Sequence, residues 1–297
     1  MNLSLLGELA ALGTAISWSF GSICFTISSR RIGHNVVNQL RLTISLVLLV
    51  TAHYVIYHHW IPAGLTWDRW FWLGFSGLIG FVVGDRMLFK CFVIIGPRLG
   101  MLMMALTPVF GVIIARLFLS EALAVKDILA IAVTLCGICL VILKSENRLQ
   151  VESNFTAGIL LGIGAAFCRA LGLILSKKGL HDNYPALSGN IIRVFIGALF
   201  LWFVPYLRAG RYRMVQILKD SAAATALFGG AFLGPFVGVW LSLVAVKYAH
   251  VGIASTLMAL PPVFLIPLSR LVFKERITVR AVIGTVTALV GVALIFV

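Results

Sequence analysis

The chain has 297 residues, of which 61% are hydrophobic and 11% charged, and its mean hydropathy is +1.05. This composition excludes an ordinary soluble domain, in which about a quarter of the residues are charged. The formal net charge is +14, but no cluster of aromatic and basic residues suited to stacking on bases accompanies it, so we expect no nucleic-acid partner. The composition instead predicts a protein embedded in a lipid bilayer.

Apolar runs of roughly 20 residues, each long enough to cross a bilayer as a helix, recur along the whole chain. The first run is too long for the apolar part of a signal peptide, so we expect it to remain as the first helix. The fold class predicted is an all-α, multi-pass membrane protein. In chain order its ten spans cover residues 3–27, 37–57, 70–92, 99–118, 126–143, 156–176, 187–206, 222–246, 250–270 and 280–297.

The second half of the chain repeats the first. The segment MALTPVF (Met104–Phe110) returns 154 residues later as MALPPVF (Met258–Phe264), and the polar connection KSENRLQVESN (Lys144–Asn154) lies between the halves. We therefore divide the chain into two five-helix repeats, residues 1–146 and 155–297. The same or a slightly smaller offset relates Gly80 to Gly234, Gly84 to Gly238, Glu121 to Glu275, Gly137 to Gly291 and Arg41 to Arg193.

An odd number of spans in each repeat makes the second repeat enter the membrane with the opposite orientation. This inverted-repeat plan is typical of secondary transporters, whose binding site lies near the membrane midplane between the repeats. The loops after odd-numbered spans carry fourteen Lys and Arg residues, against six in the loops after even-numbered spans. The charge bias predicts that the odd loops are cytoplasmic and both termini lie outside.

The duplicated fourth span, with Pro108 followed by Glu121 and Pro262 followed by Glu275, resembles the EamA-type members of the drug/metabolite transporter superfamily. The resemblance covers almost the whole chain. It implies a transporter, usually an exporter, of a small molecule, without naming the substrate. The Gly84-Asp85 pair resembles one bacterial branch, which implies the inner (plasma) membrane.

Asp85 is the only acid well inside a predicted span. A carboxylate within a bilayer is costly and usually has a function. Burial raises the pKa of a carboxyl group toward the range in which it can carry a proton, so Asp85 is a candidate for proton coupling and for substrate binding. The alternative is a structural ion pair or a carboxylate near a hydrated helix end.

Arg169 lies near the centre of the sixth span, on a helix face with Gly162, Ala165, Ala166 and Gly172. Small residues around one long cation predict space for water or ligand. A guanidinium stays charged when buried and binds a carboxylate or phosphate with two hydrogen bonds. Arg169 is therefore predicted to bind an anionic group of the substrate, or alternatively to form a lasting salt bridge with Asp85.

Trp18 is the counterpart of Arg169 in the first repeat. Gly13 precedes Trp18 by five residues, and Gly164 precedes Arg169 by the same interval. If the repeats build a pseudosymmetric cavity, the two side chains face each other across it, and an aromatic ring beside a cation suits an amphipathic metabolite. A packed core tryptophan is the alternative.

Four further cations lie nearer the ends of their spans. Long basic side chains there reach the membrane surface, and we expect interfacial anchoring at all four. They are Arg41 in the second span, Arg86 and Lys90 in the third and Arg193 in the seventh. Arg169 is then the only central arginine, which argues against a dianionic substrate.

Pro108, Pro261 and Pro262 are predicted to interrupt the fourth and ninth spans. Proline removes a helical hydrogen bond, so paired kinks at equivalent positions are candidate hinges for alternating access, or bends that serve packing alone. Glu121 and Glu275 are expected to tie a short loop to a helix N-terminus, whose dipole favours negative charge.

We expect a secondary transporter that exports a small amphipathic or anionic, amino-acid-like metabolite, with a proton or a counter-substrate as a further partner. Exchange of phosphorylated or nucleotide-linked sugars and a non-transporting scaffold are the alternatives. We expect no enzyme, because the sequence holds no H-E-x-x-H and no G-x-S-x-G motif.

The five cysteines lie in apolar spans and are expected to pack as small hydrophobic residues, with no metal and no cofactor.

Overall fold

The computed structural model describes residues 3–119, 125–142, 152–182, 184–206, 220–248, 257–275 and 277–296, and no strand occurs among them. The predicted all-α, multi-pass fold is confirmed. The helices are α1 (Leu3–Ile32), α2 (His34–Tyr57), α3 (Trp67–Gly77), α4 (Asp85–Met104), α5 (Leu106–Leu119), α6 (Val125–Ile142), α7 (Glu152–Gly179), α8 (Ala186–Tyr206), α9 (Ser221–Ala231), α10 (Val239–Tyr248), α11 (Pro261–Phe273) and α12 (Val279–Phe296).

Several helical segments are long and apolar enough to cross a bilayer by themselves, as the hydropathy of the sequence requires. Shorter apolar helices cover 128–141, 261–273 and 279–294. The long segments are Leu5–Ile32, His34–Tyr57, Asn154–Ser176, Ala186–Phe203 and Ser221–Ser242, the last of which joins α9 and α10.

The connection between the third and fourth predicted spans is a sharp break and not a loop. Helix α4 continues through this region except at Gly96, which has φ 82° and ψ 163° and is followed by Pro97. A side chain at positive φ is strained, so glycine lets the chain turn here within one residue. The two spans are therefore joined directly, and a Cβ at Gly96 would lie 2.8 Å from Oε1 of Glu275.

Two π-helical segments occupy equivalent positions in the repeats. Leu78–Gly84 joins α3 to α4, and Phe232–Gly238 joins α9 to α10, 154 residues later at both ends. In the first segment the backbone N–H of Asp85 donates to the carbonyl of Gly80, and the second contains Pro235. A π turn rotates the residues after it relative to a regular α-helix and is frequent at functional sites.

The repeats pack across each other and not side by side. A Cβ at Gly21 of α1 would lie 3.4 Å from the backbone nitrogen of Gly234 in the second π segment. A Cβ at Gly172 of α7 would lie 3.5 Å from Cα of Gly80 in the first π segment. Gly21 and Gly172 are repeat counterparts, as are Gly80 and Gly234, so the two contacts are related by the pseudosymmetry.

A second pseudosymmetric contact joins α6 to α12. A Cβ at Gly284 would lie 2.7 Å from the carbonyl oxygen of Gly137, and a Cβ at Gly291 would lie 2.8 Å from Cα of Thr134. Glycine at these positions lets the two helix backbones meet, as small residues do in many membrane proteins. Since Gly137 and Gly291 are repeat counterparts, the last helices of the two repeats pack on each other.

Asp220 joins the repeats at the membrane surface that the charge bias predicts to be cytoplasmic. It precedes α9, where its Oδ1 accepts a hydrogen bond of 3.0 Å from the N–H of Ala223, and it pairs with Arg31 at the end of α1 at 3.1 Å. These two contacts hold the pKa of Asp220 below its ordinary value. The carboxylate thus caps α9 of the second repeat and forms an ion pair with α1 of the first.

Candidate functional site

The carboxylate of Asp85 is buried at the start of α4, directly after the first π segment, with 6% of its side chain exposed. Its Oδ2 accepts a hydrogen bond from Nη2 of Arg41 on α2, and its Oδ1 lies 4.0 Å from Nη1 of Arg169 on α7. The expected neighbour, Arg169, is therefore present, but the tightest partner of Asp85 is Arg41.

The interpretation of Arg41 as an interfacial anchor is wrong, because its side chain is 5% exposed and points into the protein. Its Nε donates to Oδ1 of Asn38 at 3.0 Å, and Nδ2 of Asn38 in turn donates to the carbonyl of Phe81 at 2.8 Å. The guanidinium carbon also lies 4.8 Å from the ring centre of Phe89 and 5.5 Å from that of Phe25. Hydrogen bonds and aromatic faces thus hold this cation in place.

Arg169 is more accessible than Arg41. Its side chain is 29% exposed, against 5% for Arg41. Its guanidinium carbon lies 5.3 Å from the ring centre of Trp18 on α1, so the structure brings these two repeat counterparts together. This partial exposure leaves part of the Arg169 side chain accessible from outside the packed helices.

Arg193 on α8 is the third cation and was also expected at the membrane interface. Its guanidinium carbon lies 4.9 Å from the ring centre of Phe81, and its Nε is buried without a hydrogen-bond partner in the described part of the chain. Arg193 is the repeat counterpart of Arg41. A cation retained in both repeats was the sequence signal that could have placed both of them in the interior.

Within the residues that the structure describes, three guanidinium groups form a connected set: two of them face the carboxylate of Asp85, and the third shares the ring of Phe81 with the first. These groups are Arg41, Arg169 and Arg193, which with Asp85 we name the charge cluster. The cluster carries a formal charge of +2 between apolar helices. Unbalanced buried charge is unfavourable, so this arrangement attracts anions.

Arg86 and Lys90 follow Asp85 on α4, and both side chains are exposed. They therefore lie outside the buried charge cluster, and their role as interfacial anchors stays a prediction. Of these three charged residues in the third span, Asp85 therefore lies in the interior, and Arg86 and Lys90 lie at the outer surface.

Glu275 contacts the opposite repeat. It follows α11, and its Oε2 accepts a hydrogen bond of 3.2 Å from Nε of Arg98 on α4, with 17% of its side chain exposed and 10% of that of Arg98. It was expected to tie a loop to a helix N-terminus, and the structure shows a partly buried ion pair between repeats. Its counterpart Glu121 lies outside the described residues.

The three prolines lie in the first turns of helices and not inside them. Pro108 is in the first turn of α5, and Pro261 and Pro262 begin α11. The helical interruptions precede them, at Ala105 and its repeat counterpart Ala259. Because proline is tolerated in the first helical turn, where its missing N–H has no intrahelical partner, these residues mark paired breaks.

Comparisons with known proteins agree with this architecture. A family model described as the EamA-like transporter family matches residues 5–143 and again residues 156–297. A protein of Bacillus subtilis (strain 168), described as the uncharacterized transporter YyaM, is 27% identical over 220 residues, which cover 74% of this chain and 70% of that protein. One crystal structure matches 97% of this chain and 94% of its own with a TM-score of 0.68 at 15% identity, a likeness of fold alone.

Proposed function

Because the chain belongs to the EamA-like transporter family, we propose that it carries a small organic anion across the membrane, with Arg169 as the group that binds the anion. The chain is a multi-pass membrane transporter and not an enzyme. The observation that supports an anionic substrate is the charge cluster, in which three arginines accompany one carboxylate. An anion beside Arg169 reduces the unbalanced charge that this cluster otherwise carries.

Trp18 adds an apolar face to the proposed binding site. Its ring lies 5.3 Å from the guanidinium carbon of Arg169, so a ligand bound to the cation meets an aromatic surface. An amphipathic metabolite, with one anionic group and an apolar body, uses both side chains. Export of such an anion is favoured by an inside-negative membrane potential, at about 2.3 kcal/mol per charge and 100 mV.

Asp85 is the group through which a proton affects transport in this proposal. The carboxylate competes with a substrate anion for Arg169, from which it is 4.0 Å away. Protonation of Asp85 removes this competitor and leaves the guanidinium free for the substrate. The charge state of Asp85 therefore sets the affinity of Arg169 for anions.

The ion pair between Arg98 and Glu275 supports alternating access. It joins the two repeats on the side that the charge bias predicts to be cytoplasmic, next to the break at Gly96. The repeat counterpart of Arg98 is Gly252, which has no side chain with which to form an equivalent pair. We therefore assign to this pair the closure of one side only, with the paired breaks before Pro108 and Pro261–Pro262 as the hinges.

The Glu275→Gln variant should lower the rate of substrate exchange by roughly tenfold, because a coupling of about 1.4 kcal/mol between the repeats is lost. The charge-swapped double variant Arg98→Glu with Glu275→Arg should recover most of this rate. Exchange is measured in proteoliposomes with protein amounts matched. A swap that is as slow as the single variant would contradict a gating pair.

The proposed function is tested by counterflow in proteoliposomes preloaded with single organic anions, cations or neutral amino acids. We expect anion-loaded vesicles to accumulate labelled anion, and cation-loaded vesicles to remain at the level of protein-free vesicles. Accumulation of cations or neutral solutes alone would overturn the anionic assignment. Absence of counterflow with every solute would favour a non-transporting scaffold.

A further inference from the structure

Resting on the proposed function, we infer that Arg193 forms a second anion-binding subsite beside Arg169, and that the favoured substrate therefore carries two negative charges. A dicarboxylate and a phosphate monoester share this chemistry. The sequence argued against a dianionic substrate because Arg169 was expected to be the only central arginine. The structure places Arg41 and Arg193 close to it, so this argument no longer holds.

The guanidinium of Arg193 has a buried Nε and forms no ion pair with a carboxylate among the residues that the structure describes. Arg193 is the eighth residue of α8, about 10 Å from the helix start at 1.5 Å per residue. Its guanidinium carbon lies 4.9 Å from the ring centre of Phe81, and its buried Nε has no hydrogen-bond partner among the described residues. A buried donor without a partner is costly, and a ligand oxygen would satisfy it.

The first π segment connects Arg193 to the rest of the charge cluster. A Cβ at Gly80 would lie 3.7 Å from Nη2 of Arg193, and Gly80 also packs against Gly172, one turn after Arg169 on α7. The carbonyl of Gly80 accepts the π-helical hydrogen bond from Asp85. The π-helical turn from Gly80 to Asp85 thus has Arg193 beside its first residue. Its last residue, Asp85, faces Arg169.

Asn190 provides a second, independent indication of a ligand at this position. It precedes Arg193 by three residues and so lies on the same side of α8. Its side chain is 3% exposed, and neither its amide nitrogen nor its amide oxygen has a hydrogen-bond partner among the described residues. Buried amides in proteins are nearly always hydrogen-bonded, so this pair of free groups beside a cation indicates a polar ligand site.

The charges of the cluster determine the charge of the ligand. When Asp85 is ionised, its hydrogen-bonded pair with Arg41 is neutral as a unit. Arg169 and Arg193 then remain as two positive charges with aromatic neighbours, Trp18 and Phe81, on either side. A monoanion leaves one of these charges unbalanced in a poorly hydrated site, whereas a dianion balances both.

The test compares ligands that differ by one carboxylate. Binding of phenylsuccinate and of 3-phenylpropionate to the purified full-length protein is measured by isothermal titration calorimetry, with phenyl phosphate as the phosphate arm. We expect the wild type to bind at least one of the two dianions about tenfold more tightly than 3-phenylpropionate. The tighter of the two identifies the source of the charge.

Arg193→Gln should reduce the preference for the dianion to less than about threefold, and Arg193→Lys should keep part of it. Arg86→Gln is the matched control, because it removes an exposed arginine one residue from Asp85 and should leave the preference intact. An Arg193→Gln variant that loses affinity for mono- and dianions equally would overturn the inference, as would a wild type without a preference. If no anion binds to the wild type, the proposed function itself fails.

Discussion

Replacing Arg169 with glutamine is expected to weaken binding of organic anions at least about thirtyfold and to reduce their transport to the background of protein-free vesicles. Glutamine keeps much of the side-chain length but removes the charge, and losing one partner of a desolvated charge pair costs about 2–5 kcal/mol. In the structure 29% of the Arg169 side chain is accessible, against 5% of that of Arg41. Calorimetry with the anions that support counterflow measures the loss.

Two comparisons separate charge from fold in this experiment. Arg169→Lys keeps the charge without the planar two-bond geometry and should retain part of the affinity. Arg86→Gln removes one exposed positive charge close in sequence to the cluster and should bind anions as the wild type does. Unchanged affinity in a folded Arg169→Gln variant would show that Arg169 has only a structural role.

Replacing Asp85 with asparagine is expected to abolish the response of transport to a pH gradient while exchange of anion for anion continues. The amide cannot take up or release a proton, and it no longer competes for Arg169 as a charge. Uptake with and without an imposed pH gradient, in the same batch of proteoliposomes, measures the difference. A variant that still responds to the gradient like the wild type would contradict proton coupling through Asp85.

The same substitution should also destabilise the protein, because it removes the partner of a buried arginine. Breaking a buried ion pair from one side typically costs about 3–5 kcal/mol. Thermal unfolding in detergent should therefore shift downward for Asp85→Asn, and the double variant Asp85→Asn with Arg41→Gln should recover part of the loss. Recovery by the double variant, with the pH response still absent, would separate the stabilising role of the pair from the coupling role of the acid.

The sequence located two members of the charge cluster and one aromatic neighbour by different means. Asp85 stood out as an acid in an apolar run, and Arg169 as a cation among small residues. Trp18 followed from the repeat, and the structure places its ring 5.3 Å from the guanidinium carbon of Arg169. Their roles in binding stay predictions, but the proximity of Trp18 and Arg169 follows from the inverted repeat, which brings counterparts to one site.

Arg41 and Arg193 were misplaced for a physical reason. A long cation near the end of an apolar run looks the same in sequence whether its stem extends to the membrane surface or turns inward. The aromatic rings of Phe25, Phe81 and Phe89 that surround Arg41 come from α1, the first π segment and α4. No property of the second span alone reveals that these rings meet there.

The sequence by itself determined that the chain is embedded in a membrane, that its helices form two related repeats, and that intramembrane charge is unequal between them. These properties depend on apolar run length, repeated segments and residue type, which are local. Only the tertiary structure decided which cations share Asp85, which ion pair joins the repeats at Glu275, and where the helices break. Those features depend on the crossing of α1 and α7 over the π segments of the opposite repeat, and on the rotation that each π turn imposes on the residues after it. Helical periodicity assumes regular turns, so it could not place Asp85 against Arg41.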